Sequence, residues 1–85
     1  MEKFLVYILR CADDTFYTGW TTDIEKRLAK HNKGLASKYT RARIPVALFY
    51  LEELPGKSEA MKREHAIKKL SRRQKEALGP RKADI

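Results

Sequence analysis

The sequence predicts an α+β domain, a three-stranded antiparallel-type sheet flanked by helices in the order β-β-α-β-α-α. Three observations carry that prediction. An apolar run at residues 4–9 and a run rich in β-forming residues at 16–21 bracket the turn cluster Ala12-Asp-Asp-Thr15, the signature of a hairpin. Two patterns that start helices occur later, Thr22-Asp-Ile-Glu25 and Ser71-Arg-Arg-Gln74. Gly34, Pro55-Gly56 and Gly79-Pro80 divide the rest of the chain into pieces of element length.

The elements follow in order. Phe4-Leu-Val-Tyr-Ile-Leu9 is apolar on both alternating faces, so it reads as a central strand covered on both sides. Phe16-Tyr-Thr-Gly-Trp-Thr21 is the second strand of the hairpin. Thr22 and Glu25 are placed to form a capping box, whose hydroxyl and carboxylate satisfy the first free amides of a helix. That helix is expected to run to Asn32 or Lys33, where Gly34 supplies a left-handed stop. Residues 34–44 read as a basic loop, and Pro45 opens a third strand at 46–51. Ser58 is the expected cap of a second helix reaching about Leu70. Ser71 and Gln74 form another capping box and start a short third helix, ended by Gly79-Pro80. Residues 1–80 are expected to make one domain and 81–85 a frayed tail.

Composition narrows the function. A chain of 85 residues holds one small core, which excludes a TIM barrel or a Rossmann enzyme. The single cysteine, Cys11, excludes an internal disulfide framework, and no cysteine-histidine spacing suits structural zinc. No apolar run approaches the roughly 20 residues of a membrane span, and the N-terminus lacks the pattern of a signal peptide. The expected home is a reducing cytoplasm, with no membrane association.

The formal net charge is +8, and it is unevenly spread. Residues 26–43 carry seven basic side chains and no acidic one, and residues 57–85 carry ten basic and four acidic. Two basic blocks therefore flank an acidic stretch. A polyanion is the natural partner, nucleic acid above all. A solvated lysine-rich surface is the plainer explanation.

Polar residues occupy positions expected to be buried. At 100° per residue, Ile24, Arg27, Leu28 and His31 share one narrow arc of the first helix. A buried guanidinium needs an acid partner or an open cleft. Arg27 is either such a residue or a side chain snorkelling from the edge of the face, and His31 either a functional group or a satisfied core histidine. In the second helix Glu64 interrupts the stripe of Ala60 and Ile67. It is either paired with a base such as Arg27 or held in a cleft, available to a metal. If the hairpin register sets Leu9 opposite Tyr17, Tyr7 faces Gly19 and both phenols project from one face. Gly19 then leaves room for close approach of another backbone, a point of substrate approach.

These residues, in this order, resemble the GIY-YIG nuclease superfamily, and in particular its small stand-alone bacterial members. The resemblance rests on Leu5-Val-Tyr7, Tyr17-Thr-Gly19, Arg27 and His31 on the next helix, and Glu64 on a later one. Leu5-Val6 stands where the motif has Gly-Ile, and Thr18 where it has a branched aliphatic residue. The resemblance implies hydrolysis of phosphodiester bonds by Tyr7, Tyr17, Arg27, His31 and Glu64. Glu64 would hold a single Mg²⁺ or Mn²⁺ ion, and Arg27 the scissile phosphate. Tyr17 would accept the proton of the attacking water with Tyr7 orienting it, and His31 is a rival base. Gln74, explained by its capping box, is not assigned a catalytic role.

The flanking cations complete the expected site. Lys30, Lys38, Arg41 and Arg43 would grip phosphates, with Tyr39 stacking on an unpaired base or else packing on the domain. Arg72 and Arg73 would add contacts from the third helix. Trp20 and Phe49 are assigned to the core. The leading expectation is a Mg²⁺-dependent DNA endonuclease acting on branched, nicked or single-stranded DNA, with a protein partner as a further source of specificity. The alternatives are a non-catalytic nucleic-acid-binding module on the same scaffold and a domain that docks an acidic protein.

Overall fold

The computed structural model describes residues 3–82, the last two in their backbone only. Strands β1 (Phe4–Arg10), β2 (Phe16–Thr21) and β3 (Ala47–Leu54) alternate with helices α1 (Ile24–Asn32), α2 (Lys38–Arg41), α3 (Lys57–Lys68) and α4 (Arg72–Leu78), and a two-residue strand β4 (Arg81–Lys82) follows. The sheet order is β2-β1-β3-β4, with β1 antiparallel to β2 and to β3. The predicted α+β class and element order hold.

β1 is the central strand because both its faces are covered. Leu5 to Leu9 are all buried. On one face Leu5, Tyr7, Leu9 and Cys11 pack with Ile24, Val46 and Leu51. On the other, Val6 and Ile8 pack with Phe49, Tyr50, Ala60 and Ile67. α1 thus lies on the first face and α3 on the second. Each large apolar side chain so buried contributes about 1.5–3 kcal/mol. β3 departs from strict alternation where its register shifts between Ile8 and Leu9, and this irregularity lets both Phe49 and Tyr50 join the second core.

Local chemistry corrects several predicted boundaries. The N-cap of α1 is Asp23, not Thr22: its carboxylate accepts the Lys26 N–H at 3.1 Å. With the cap there, Glu25 lies too early to close the box. Gly56, in extended conformation and with no side-chain bond, precedes α3 in place of a Ser58 cap. α3 stops at Lys68, and β3 runs on to Leu54. Within the expected basic loop, Ser37 accepts the Thr40 N–H at 3.1 Å and nucleates the single turn of α2. Arg81 and Lys82, placed in a frayed tail by the sequence, pair with Tyr50 and Leu51 as a parallel strand and make the sheet four-stranded. Residues 83–85 of that tail lie outside the described residues. The capping box of Ser71 and Gln74 and the left-handed Gly34 (φ 76°) are as expected.

The segment between α1 and β3 is anchored by one amide. Asn32 donates from Nδ2 to the Val46 carbonyl at 3.1 Å and accepts the Val46 N–H on Oδ1 at 2.7 Å. Val46 is buried, so its backbone groups have no ready access to water. Replacing Asn32 by Ala leaves both unpaired, which costs about 1–3 kcal/mol. The expected outcome for Asn32→Ala is a lower urea midpoint with an unchanged slope; an unchanged midpoint would show that this clamp contributes nothing.

Candidate active site

Of the hairpin registers the sequence left open, the observed one pairs Leu9 with Tyr17 and Tyr7 with Gly19. The two phenols therefore share a face as diagonal neighbours. Gly19 does more specific work than leaving room for a substrate. A Cβ at this position would meet the Tyr7 hydroxyl oxygen at 2.5 Å and its Cζ at 2.7 Å. The space above Gly19 is filled by the Tyr7 phenol, and glycine is what lets that ring lie flat across the neighbouring strand.

A cleft of about 330 Å³ opens at the β2 edge of the sheet, lined by Tyr7, Tyr17, Gly19, Trp20, Thr21, Thr22, Arg27 and Glu64. β1 and β2 supply the phenols, α1 the guanidinium, and α3 the carboxylate that reaches across from the opposite face. Arg27 is half-buried, and among the described residues no hydrogen bond or ion pair engages its side chain. The expected alternative pairing with Glu64 is not formed. Glu64 instead has Lys68 Nζ at 3.7 Å from Oε2, one turn along α3, and its side chain is 22% exposed.

His31 is a core residue. It is 1% exposed, and both ring nitrogens are engaged: Nε2 with the Tyr7 hydroxyl at 2.9 Å, Nδ1 with Thr40 Oγ1 at 2.7 Å. Burial holds its pKa below the usual histidine value, and the nearby Arg27 charge lowers it further. A neutral imidazole with no free lone pair toward the cleft is not placed to take a proton from water. Its role here is to hold Tyr7. The sequence weighed that possibility for His31 but had no sign of Thr40, which is fully buried. Tyr7 itself is pushed well above the ordinary phenol range, first by burial and then by Tyr17 and Glu64, with Arg27 opposing. It stays a neutral hydroxyl.

The predicted cations separate into two groups. Lys30, Lys38, Arg41 and Arg73 are exposed, and their side chains make no hydrogen bond or ion pair among the described residues. A hollow of about 200 Å³ adjoins the cleft, lined by Thr21, Thr22, Asp23, Lys26, Arg27 and Lys30. Lys26 was missed by the sequence reading, although it lies one turn before Lys30 on α1. Arg43 and Arg72, by contrast, are engaged within the domain. Arg43 binds Asp13 Oδ2 at 2.9 Å and the Tyr39 carbonyl at 2.8 Å, and its guanidinium lies 3.9 Å from the Tyr39 ring centroid. Arg72 bonds the Asp14 carbonyl and Glu76, and covers Phe16. Tyr39 stacks on Tyr17, ring centroids 6.0 Å apart, and remains 37% exposed, so the ring packs on the domain while part of it faces solvent. Phe49 is core, and Trp20 packs against it while lining the cleft.

The donor set fits a lightly held divalent ion. Among the described residues no group of three or more His, Cys, Asp or Glu could cage a metal. One carboxylate at a cleft suits a cation that keeps several waters and takes further oxygens from a phosphate. No helix among the described residues is long and apolar enough to cross a membrane.

Residues 3–77 match the model of the GIY-YIG catalytic domain family. A UPF0213 protein of Halobacterium salinarum is 58% identical over 86% of this chain and 95% of its own length. One from Staphylococcus haemolyticus is 53% identical over 88% of this chain and 92% of its own length. The solution NMR structure of a UPF0213 protein from Bacillus halodurans is similar with a TM-score of 0.56 at 49% identity, covering 92% of this chain and 82% of that one. That of a protein from E. faecalis gives 0.61 at 46% identity, covering 91% and 85%.

The neutral state of His31 has a consequence for stability. An unfolded histidine titrates near 6.5, above the folded value of His31. In the interval between them the unfolded chain binds more protons, so stability falls as pH falls. The urea midpoint is expected to drop as pH is lowered from about 7 to about 5. In His31→Gln this part of the decline should flatten; an unaltered decline would assign it to other groups.

Proposed function

The chain belongs to the GIY-YIG catalytic domain family, and on that premise we propose that it is a divalent-metal-dependent endonuclease that hydrolyses phosphodiester bonds in DNA. Family membership implies nuclease-type chemistry on nucleic acid. The observation that carries the finer reading is the cleft: Tyr7, Tyr17, Arg27 and Glu64 converge there from four elements, and among the described residues no hydrogen bond or ion pair engages the Arg27 side chain.

Phosphodiester hydrolysis needs a bound, polarised phosphate, a deprotonated water and help for the leaving oxygen. Arg27 binds the scissile phosphate, where its fork matches two oxygens and stabilises the negative charge that develops. Glu64 would hold the divalent ion, which when bound would supply charge neutralisation for the phosphoryl group. Tyr17, the more exposed phenol, takes the proton of the attacking water. Tyr7, neutral and fixed by His31, orients the reacting group. Lys26 and Lys30 beside the cleft, with Lys38, Arg41 and Arg73, carry the flanking phosphates. Branched, nicked or single-stranded DNA suits a cleft this open at a sheet edge.

One observation favours the non-catalytic reading. Lys68 Nζ stands 3.7 Å from Glu64, where it competes with a metal for the carboxylate. A cleavage assay on single-stranded, duplex, flap and four-way-junction DNA, with and without Mg²⁺, separates the two. The enzyme cuts at least one substrate only with metal, and Glu64→Ala abolishes cutting with its circular dichroism unchanged. Arg27→Ala is expected to lower turnover by about 10²–10³-fold, the usual effect of removing one charge-stabilising donor, with little change in melting temperature. No cutting by the wild type, with binding intact, would identify a binding module.

Binding has its own signature. Removing Lys38 and Arg41 together should weaken DNA binding and reduce the slope of log affinity against log salt by about 2, one per lost phosphate contact. An unchanged slope would move the binding surface elsewhere.

A further inference from the structure

A buried chain of hydrogen bonds runs inward from the cleft. The Tyr7 hydroxyl meets His31 Nε2 at 2.9 Å, and His31 Nδ1 meets Thr40 Oγ1 at 2.7 Å. Thr40 Oγ1 meets Ser37 Oγ at 2.9 Å, and Ser37 Oγ accepts the Thr40 N–H at 3.1 Å. Tyr7, His31 and Thr40 are each at most 2% exposed, and of the three only Tyr7 lines the cleft. Three buried groups therefore share a fixed number of protons, and the direction of each bond limits the next.

The geometry fits one direction along the chain. O–H···O bonds are commonest near 2.7–2.8 Å and N–H···O bonds near 2.9–3.0 Å. The 2.7 Å contact fits Thr40 donating its hydroxyl to Nδ1, and the 2.9 Å contact fits His31 donating Nε2–H to the Tyr7 oxygen. Ser37 fits the same direction: its oxygen accepts the Thr40 N–H, and its hydroxyl can donate to Thr40 Oγ1 at 2.9 Å, which frees the Thr40 hydroxyl from its long 3.5 Å contact with the Ser37 carbonyl. Each buried hydrogen then has an acceptor, and the Tyr7 proton is the one left over. It has no place inward, so it is directed at the cleft.

We infer that Thr40 is a positioning residue of the active site: by donating to Nδ1 it fixes the Nε2–H tautomer of His31, which in turn obliges Tyr7 to act as a hydrogen-bond donor into the cleft. The inference rests on the nuclease reading for its catalytic meaning, not for its geometry. It assigns Tyr7 the task of donating to a substrate oxygen or to Tyr17, and it leaves Tyr17 as the proton acceptor. It also gives α2 a function. This single turn faces the cleft machinery with Thr40 and solvent with Lys38 and Arg41.

The tautomer is measured directly by long-range ¹H–¹⁵N correlation of the His31 ring in the free protein near neutral pH. The expected spectrum has a protonated Nε2 and a bare Nδ1; a protonated Nδ1 would overturn the inference whatever the enzyme does. Thr40→Val removes the hydroxyl at nearly constant volume. It is expected to mix or reverse the tautomer and to lower kcat by roughly 10–100-fold, as loss of an outer partner of a site group does, with KM for DNA little changed. Thr40→Ser keeps the hydroxyl and should restore both the tautomer and the rate. A Thr40→Val protein with wild-type tautomer and wild-type kcat would refute the assignment. If Thr40→Val does not fold, the wild-type and Thr40→Ser spectra still decide it. If the wild type cuts no DNA, the nuclease reading fails and the tautomer is still read.

Discussion

His31 is an imidazole with both nitrogens spoken for in a place water does not reach, and much of the molecule is arranged around that condition. Its Nε2 partner, Tyr7, can lie where it does only because residue 19 lacks a side chain. Its Nδ1 partner, Thr40, is presented by a turn that exists because Ser37 caps it. Two hydrogen bonds between Asn32 and Val46 join α1 to the start of β3 and so fix the ends of the segment that carries this turn. A buried polar group left unpaired is costly, so each of these contacts constrains the next. The cleft inherits its shape from this network more than from the residues that line it.

The positive charge of the chain serves two ends, and the structure separates them. Arg43 ties the α2 segment to the β1–β2 turn through Asp13 and Tyr39, and Arg72 ties α4 to the same turn through Asp14. These arginines use their planar forks to bind several partners at once. Lys26 and Lys30 have compact, strongly hydrated heads and remain in water beside the cleft, and Lys38 is exposed on α2. The division explains how a small domain can be strongly basic without its cations all competing for the same ligand.

Much of this was legible in the sequence where the signal was periodic or local. The apolar run of β1, the β-forming run of β2, the Ser71–Gln74 box and the Gly34 stop each depend on neighbours a few residues away, and each was found. The hairpin was legible but its register was not fixed by these signals; the structure supplies the pairing that puts Tyr7 and Tyr17 on one face. What escaped depends on distant partners. Nothing in Ser37-Lys-Tyr-Thr40 announces that Thr40 meets a histidine on another helix. Arg43 and Arg72 read as phosphate contacts because their acids, Asp13 and Asp14, lie far off along the chain. β4 is two residues long, below the length at which any pattern repeats. Arg27 and Glu64 were visible as polar interruptions of apolar stripes, but only packing showed that they share a cleft without joining hands.

Glu64 reaches the cleft from the far face of the sheet, on a helix that docks through Ala60 and Ile67 long after the hairpin in chain order. During synthesis the phenols and Arg27 emerge first, and the carboxylate comes last. A nascent chain, or a fragment clipped before α3, lacks the carboxylate side of the cleft. The cleft is therefore complete only when the whole domain has been made, and on the proposed nuclease reading an unfinished copy carries no carboxylate there to hold a metal.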